Sequence, residues 1–372
     1  MRIAKMTATA LFILAISTTG PLAFHDAGVA ECAGCHTMHN SQDGVPVDPA
    51  HPAGNAYLLQ NANSTDQCLA CHASYGQFFG GEGYGPGGDF YWLTKTFEWT
   101  SHGHAAYSTG DSHGHNVISP ANMIAADATL LAAPGGTFDS DFLTCTSCHD
   151  PHGNQNFRIL YGDGVVNGPG GPIYLNGRYD FEEAAPLAKG NSRKTMVGGG
   201  GEETDARHTV YKSGMTEWCA NCHGDFHSGE TTDSVHPTSV GLGAGIAAVY
   251  NAYVSTDDPA GGDAGTAYFG LVPFEDVDVD LGTVDSADYT AGPAAGDQVM
   301  CLTCHRAHAS AFPDAARWDL AETFLADSHP QLTDTGASAD DVANMYYQYT
   351  FVQNQRSLCN KCHMKDGDDG PY

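Results

Sequence analysis

The sequence predicts a chain of mostly irregular backbone, with a few short α-helices and very little β-structure. Three observations predict this fold class. Glycine and proline together account for 63 of the 372 residues, about 17% against the roughly 12% that is usual. The motif Cys-x-x-Cys-His occurs six times and contains all twelve cysteines. Helical or alternating periodicity is confined to short stretches between these motifs.

The six motifs predict six covalently attached haem groups, haem c, around which the chain folds. In such a motif the two thiols add to the vinyl groups of one haem, and the adjacent imidazole becomes the proximal iron ligand. The predicted thioether cysteines are Cys32, Cys35, Cys68, Cys71, Cys145, Cys148, Cys219, Cys222, Cys301, Cys304, Cys359 and Cys362. The predicted proximal ligands are His36, His72, His149, His223, His305 and His363.

Two other readings of paired cysteines are weaker. Zinc sites can be assembled from Cys-x-x-Cys pairs, but zinc requires neither this fixed spacing nor a histidine after every pair. Redox disulfides of the thioredoxin type would not need six copies. The histidine that follows all six pairs therefore favours haem.

Residues 1–23 have the pattern of a signal peptide, so we expect export and haem attachment in the periplasm. Arg2 and Lys5 form a short basic region, and the apolar run from Leu11 to Ile16 is too short to span a bilayer. Cleavage after Ala23 is expected, although Pro21 fits poorly at its position before the cleavage site. No later stretch approaches the length of a membrane span, so no membrane span is predicted.

The chain is strongly acidic, with 44 Asp and Glu against 15 Lys and Arg. The formal charge of −29 becomes −31 once Arg2 and Lys5 are removed with the signal peptide. Nucleic acid and anionic lipid are poor partners for such a surface, whereas cationic partners and mineral surfaces are better ones. Solubility outside the cell is an equally good explanation for the acidic charge.

Residues 24–372 are expected to form a single domain that carries all six haems. The spacers between successive motifs contain 31, 72, 69, 77 and 53 residues, too uneven for a tandem repeat and too short for six independent domains. Six large flat cofactors would supply the apolar mass that a glycine-rich chain lacks. The expected core is therefore a chain of haems wrapped by loops.

Regular structure is predicted in four places. Residues 238–253 have an apolar helical face that glycines weaken at its start. Ser338 is a candidate N-cap for a helix that runs through Val342, Met345 and Tyr346 toward the last motif. The aromatic stretches Phe90–Leu93 and Phe97–Thr100 are the best strand candidates. Short turns are expected to carry several of the cysteine motifs.

The ligand on the second face of each iron decides the chemistry, because two imidazoles close the site and an open position permits catalysis. Thirteen histidines remain after the proximal six, enough for every iron. Of His113 and His115, only one is expected to be a ligand at a given iron, and His25 is left undecided. The histidines expected to have no ligand role are His51, His102, His104, His208 and His329.

Three spare histidines share an offset of three residues from a proximal histidine: His39, His152 and His308. His227 follows His223 at an offset of four. Axial nitrogens of one iron lie on opposite faces of the porphyrin, and three residues cannot pass around its edge. Each of these histidines therefore binds a neighbouring haem or binds nothing, and the repeated offset favours closely packed haems.

Several segments resemble the OmcS-type six-haem outer-surface cytochromes, which polymerise as nanowires. The resemblance spans nearly the whole mature length and includes residues that the haem motif does not dictate. It is carried by residues 24–32 (FHDAGVAEC), 35–41 (CHTMHNS), 86–90 (PGGDF), 114–116 (GHN), 148–153 (CHDPHG), 217–223 (EWCANCH), 304–310 (CHRAHAS) and 358–363 (LCNKCH).

The resemblance implies closely spaced bis-histidine haems in alternating parallel and T-shaped pairs. It also implies that His39 reaches into the adjacent subunit and ligates the haem on Cys301 and Cys304. The remaining distal ligands implied by the resemblance are His115, His152, His227, His236 and His308, without an assignment to particular irons.

The function expected is extracellular electron transfer, by hopping from haem to haem along a filament of identical subunits at the cell surface. The expected acceptors are metal oxides and other cytochromes, and no bond of a substrate changes. Two alternatives stay open. A multihaem reductase would need one open iron, and a monomeric periplasmic shuttle would need no assembly.

Overall fold

The computed structural model describes residues 32–72, 87–164, 180–190, 209–226, 236–262, 272–285, 292–346, 351–352, 354–356 and 359–363. Irregular backbone dominates these residues, as predicted. The signal peptide prediction lies outside the described residues. None of the helices in the described parts of the chain is long and apolar enough to cross a membrane.

The α-helices of the described residues are short, and most of them carry a cysteine motif. They are α1 (Cys32–Cys35), α2 (Ser64–His72), α3 (Met215–Ala220), α4 (Gly243–Ala252), α5 (Cys301–Cys304), α6 (Ala339–Asn344) and α7 (Cys359–His363). Single 3₁₀ turns lie between them, at Ala56–Leu58, Phe90–Thr94, Gly110–His113, Pro120–Asn122, Ser140–Phe142, Cys145–Ser147, Phe157–Ile159, Gly224–Phe226, Pro313–Ala315 and Leu325–Asp327.

The strands form three separate antiparallel pairs. These are β1 (Ser41–Gln42) with β2 (Val45–Pro46), β3 (Phe97–Ser101) with β4 (His104–Ser108), and β5 (Leu187–Lys189) with β6 (Val210–Ser213). In the second pair Ser101 is opposite His104, so only His102 and Gly103 form the turn. Both have positive φ, 49° and 80°, as a two-residue hairpin turn that matches the strand twist requires.

Three of the four predicted elements are present, with shifted ends. The strand predicted at Phe97–Thr100 is β3. The helix predicted from residue 238 begins only at Gly243, which has φ of 76°. Ser338 caps α6, because its hydroxyl accepts a hydrogen bond from Asp341 N.

The strand predicted at Phe90–Leu93 is wrong, since residues Phe90–Thr94 form a 3₁₀ helix. The Asp89 side chain accepts a hydrogen bond of 3.0 Å from Tyr91 N. This local bond stabilises a turn in place of a strand. Aromatic composition alone predicted the wrong backbone here because the cap residue precedes the aromatic run.

The largest apolar cluster joins the 3₁₀ helix at Phe90–Thr94 to the segment that follows the fifth motif. Trp92, Phe97, Phe312 and Leu325 are all at most 1% exposed. Aromatic side chains dominate this cluster, and each buries a large apolar area. The cluster holds the middle and the end of the chain together around the motifs.

Glu275 is a buried carboxyl group, 1% exposed, that accepts a hydrogen bond of 2.7 Å from Met215 N at the start of α3. Burial, with a smaller contribution from Glu217, raises its pKa to about 7. A raised carboxyl pKa contributes stability that is lost as the pH rises from the unfolded pKa, near 4.5, through the folded pKa near 7.

We therefore expect the effect of Glu275→Gln on the free energy of unfolding to be more favourable at pH 8 than at pH 5, by roughly 3 kcal/mol. The amide keeps an oxygen that accepts from Met215 N but carries no charge to bury. Urea unfolding at the two pH values, followed by circular dichroism, measures the difference. An equal gain at both would show that ionisation of Glu275 is not the cause.

Candidate haem sites and their axial histidines

The cysteine motifs adopt single helical turns, which place both thiols of a motif on one side of the backbone. In four motifs the turn is closed by a hydrogen bond from the histidine N–H to the carbonyl of the first cysteine. These bonds are His36 N to Cys32 O (2.9 Å), His149 N to Cys145 O (3.1 Å), His223 N to Cys219 O (3.0 Å) and His305 N to Cys301 O (3.0 Å). Residues three apart in a helical turn are neighbours on its surface. The thiols can therefore bind one ligand together.

The proximal imidazoles are oriented by backbone carbonyls. Nδ1 donates to such a carbonyl in four motifs: His36 to Tyr57 O (3.0 Å), His149 to Arg158 O (2.9 Å), His223 to Pro134 O (2.8 Å) and His305 to Asp314 O (2.8 Å). A hydrogen bond at Nδ1 fixes the tautomer and leaves the lone pair of Nε2 for a metal ion.

The first, third and fifth motifs are copies of one structural unit, which we call the odd unit. In each copy the carbonyl that accepts from Nδ1 belongs to a residue with positive φ: Tyr57 (55°), Arg158 (49°) and Asp314 (59°). The next residue also has positive φ, and its carbonyl accepts from the residue after the proximal histidine. These bonds are Thr37 N to Leu58 O (2.7 Å), Asp150 N to Ile159 O (2.8 Å) and Arg306 N to Ala315 O (2.7 Å).

These carbonyl partners were not predicted from the sequence. A signal exists, because Arg158 follows His149 by nine residues and Asp314 follows His305 by nine. In the first copy the distance from His36 to Tyr57 is 21 residues, which hides the equivalence. The residue types at these positions do not reveal the contact, because a backbone carbonyl makes it.

Four proximal imidazoles face a second imidazole across a gap that suits a metal ion. The ring centroids are 6.3 Å apart for His36 and His152, 6.3 Å for His149 and His308, 6.0 Å for His223 and His115, and 6.3 Å for His363 and His236. Two imidazoles on opposite sides of one metal ion, each bonded at about 2 Å, have ring centres roughly 6 Å apart.

His305 and His39 differ from these pairs. Within the described residues, neither ring faces a second imidazole at this distance, and His39 is exposed to solvent. His227 and His25 lie outside the described residues, so the distal partner of His72 is not described. Of the six distal histidines implied by the resemblance, the structure thus brings four to a proximal ring.

Desolvation favours the neutral form of three of the paired imidazoles. It lowers the pKa of His149 and His115, and it lowers the pKa of His308 to about 3, with a further contribution from the nearby His149. Neutral imidazole is the form that binds a metal ion. At these three imidazoles the electrostatics therefore favour ligation over protonation.

The histidines expected to have no ligand role make other contacts where they are described. His51 is hydrogen-bonded to Asp48 (2.7 Å), and His329 to Asp334 (2.6 Å). His102 and His104 are exposed in the β3–β4 hairpin, and His208 lies outside the described residues.

Only one of His113 and His115 was expected to be a ligand at a given iron. The two rings make different contacts in the structure. His113 is fully buried and uses both ring nitrogens, Nδ1 with Trp92 O at 2.8 Å and Nε2 with Ser108 Oγ. Neither nitrogen is available to a metal ion. His115 instead donates from Nδ1 to Ala307 O at 2.7 Å and faces His223.

Neighbouring motifs lie close to one another in the order of the sequence. Cys68 is in hydrogen-bonding contact with Cys145, and Cys219 with Cys301. Burial raises the pKa of Cys35, Cys148 and Cys304, and a smaller contribution comes in turn from Cys68, Cys222 and Cys359. The first to the sixth motif thus form one uninterrupted row.

The second and third motifs are joined in the same way as the fourth and fifth. Cys145 N donates to Thr65 Oγ1 and Cys301 N donates to Thr216 Oγ1, both at 3.3 Å. Each threonine lies three residues before the first cysteine of its own motif. The row is therefore built by repetition of a few local contacts.

These residues fit haem c. Four motifs combine two thiols on one turn with an imidazole that is oriented through Nδ1, and four proximal imidazoles face a second imidazole at the right separation. Such a row of sites on largely irregular backbone defines a multihaem c-type cytochrome.

Comparisons with known proteins agree with this class. The C-type cytochrome OmcS of Geobacter sulfurreducens is 35% identical over an alignment of 442 positions, which covers 98% of this chain and 99% of the relative. A cryo-EM structure of OmcS nanowires and a structure of the Outer Membrane Cytochrome S filament, both from the same organism, match with a TM-score of 0.75. Both matches have 33% identity and cover 92% of this chain and 100% of the other. No protein-family model matches the chain.

The chain belongs to the family of the C-type cytochrome OmcS. The resemblance and the fold class are thereby confirmed, and so is haem c as the cofactor, whereas the number of six haems stays a prediction.

Proposed function

We propose that this protein is an extracellular electron conduit, in which six haems held by each subunit form a continuous row along a filament of identical subunits. It is an electron-transfer cytochrome and not an enzyme. One observation carries the proposal. His305 faces no second imidazole within the described residues, and His39 is an exposed imidazole that could complete this site in a neighbouring subunit. The filament structures of OmcS support the assembly.

Each iron has a proposed pair of axial ligands. The paired rings assign His152 to the haem on Cys32 and Cys35, His308 to the third, His115 to the fourth and His236 to the sixth. His39 of a neighbouring subunit is assigned to the fifth haem, on Cys301 and Cys304. Of the six distal histidines implied by the resemblance, His227 is the one that remains, and it is assigned to the second haem, beside His72.

Repetition of the odd unit supports the assignment of His39. His152 belongs to the third motif and faces the proximal ring of the first. His308 belongs to the fifth motif and faces the proximal ring of the third. In both cases a motif provides a histidine to the odd unit that precedes it. If the first motif of the next subunit follows the fifth motif in the same way, its His39 faces His305. The pattern then continues across the subunit boundary without a new type of contact.

The surface around His39 also suits an interface. Met38 is 77% exposed, and Tyr57 and Leu58 are each 53% exposed. Large apolar side chains that cluster at a surface beside an exposed ligand are typical of a protein contact. Coordination and apolar burial would then stabilise the same junction.

Haem c supplies a one-electron iron couple when bound. The chain's own residues do the rest: the thiols fix the position of each site, the carbonyls at Nδ1 orient the imidazoles, and the second imidazole closes the site to small molecules. Contact between successive motifs keeps each hopping step short.

The same proposal covers location and partners. Residues 1–23 are the signal peptide, residues 24–372 form one domain, and haem is attached in the periplasm before the protein reaches the cell surface. Metal oxides and other cytochromes accept the electrons, and nucleic acid is not a partner of a chain with formal charge −29.

We expect the ferric filament to contain only low-spin iron, because every iron then has two imidazole ligands. Isolated subunits should contain one high-spin iron in six, at the haem of His305. Magnetic circular dichroism of the two forms measures this. High-spin iron in the intact filament would contradict the proposal and favour a reductase, and wholly low-spin isolated subunits would favour the monomeric shuttle.

A further inference from the structure

The four described imidazole pairs differ in the angle between their ring planes. The angle is 18° for His36 and His152, 54° for His223 and His115, 68° for His149 and His308, and 83° for His363 and His236. In ferric low-spin haem, parallel imidazoles act on the same iron orbital, whereas crossed imidazoles act on two orbitals more equally. Residues that set a ring plane therefore tune the electronic structure of that iron.

His308 is held between two flanking segments by its backbone. Its N–H donates to Gly87 O at 2.7 Å, and its carbonyl accepts from His115 N at 2.9 Å. Beside it, Asp89 N donates to Ala309 O at 3.1 Å. The backbone position of His308 is thus fixed from both sides, and only the rotation of the ring remains to be determined.

Three contacts bear on that rotation, and one of them is a hydrogen bond between the His308 ring and the Gly88 backbone. The ring of Phe90, itself 8% exposed, stacks on the His308 ring with centroids 4.6 Å apart and planes 21° apart. The backbone of Gly87 also lies against this ring. A Cβ atom at Gly87 would lie 2.9 Å from Nδ1 of His308 and 3.1 Å from its Cε1. Only a residue without a side chain leaves room for the ring in this plane.

We infer that Phe90 and Gly87 are positioning residues that set the plane of His308, so that its iron has crossed axial imidazoles. The inference rests on the proposed ligation of the third haem by His149 and His308. Neither residue provides an atom to the iron. Their effect is on the g-values and the potential of one haem in the row, through the orientation of its ligand.

The test uses the ferric full-length holoprotein and two variants, Phe90→Leu and Gly87→Ala. Leucine keeps apolar bulk but removes the flat stacking surface, and alanine forces the ring to tilt. We expect full haem content, no new high-spin iron, and a shift of one low-spin signal out of six in electron paramagnetic resonance. The midpoint potential of one haem should shift with it.

Trp99→Leu is the matched control. Trp99 stacks on His329 with centroids 4.2 Å apart and planes 12° apart, but Nδ1 of His329 is bonded to Asp334 and its ring faces no proximal imidazole. The control should leave all six signals unchanged. Low-spin spectra that are identical in wild type and in both variants would overturn the positioning role. High-spin iron in the wild-type filament would instead overturn the axial assignments, and this inference with them.

Discussion

Replacement of His39 by alanine is expected to abolish long filaments and to leave one iron in six five-coordinate. The His39 ring is exposed in the subunit, so its loss removes no packing from the fold. The iron beside His305 would lose its second imidazole, and the junction between subunits would lose a metal–ligand bond. Negative-stain electron microscopy measures filament length, and magnetic circular dichroism measures the high-spin fraction.

Free imidazole separates the two consequences of this substitution. Added to His39→Ala, it should bind the open iron and restore the low-spin spectrum, because the site is reachable. It should not restore filaments, because it is not attached to a neighbouring subunit. Recovery of filaments with imidazole would show that closure of the iron site, and not the covalent link through the chain, drives assembly.

His104→Ala is the control for His39→Ala. His104 is also exposed, near the turn of the β3–β4 hairpin, and faces no proximal ring. The His104→Ala variant should form long filaments and should contain only low-spin iron. Long filaments in His39→Ala would contradict the role of His39 between subunits, whatever the spin state.

Haem c could be predicted from the sequence because its attachment motif is local. Two thiols and an imidazole within five residues need only one helical turn, so the motif itself specifies the site. The Ser338 cap and the β3 strand were predicted for the same reason, since neighbouring residues determine them. The strand predicted at Phe90–Leu93 was wrong for a local reason as well. The Asp89 side chain, one residue before the aromatic run, stabilises a 3₁₀ helix there.

Pairing of the distal histidines could not be predicted from spacing alone. His115 donates to Ala307 O, 192 residues away along the chain, and its partner His223 lies in a third segment. Such contacts depend on how the loops cross, which the periodicity of a glycine-rich chain does not encode. The offset of three residues excluded ligation within one motif but did not select among the neighbours.

The structural repeat explains why the offset recurs. In each odd unit two residues with positive φ turn the chain back so that a carbonyl meets Nδ1 of the proximal histidine. The histidine three residues after each proximal histidine belongs to the same unit, and in the third and fifth motifs its ring faces the proximal ring of another motif. The same local backbone geometry thus accompanies the same offset in all three units.

Replacement of His152 by alanine is expected to have an equally large spectroscopic effect but to leave filaments intact. His152 has the same offset as His39, and its ring faces His36 of the same subunit at 6.3 Å. One iron in six should become high-spin, as in His39→Ala. No bond between subunits is lost, so filament length should match the wild type.

The identity of the affected iron can be checked independently. The planes of His36 and His152 are 18° apart, the most nearly parallel of the four described pairs. His152→Ala should therefore remove a low-spin signal with three well-separated g-values and retain the signals of the crossed pairs. Electron paramagnetic resonance of the ferric filament measures this.

The two variants together separate coordination from assembly. Both remove one imidazole from one iron, and they differ only in whether that imidazole comes from the same subunit. If His152→Ala also abolished filaments, loss of any axial ligand would be enough to disrupt assembly, and the special role of His39 would fail. If its filaments persist but current along them falls, the closed iron sites are required for transport and not only for the junction.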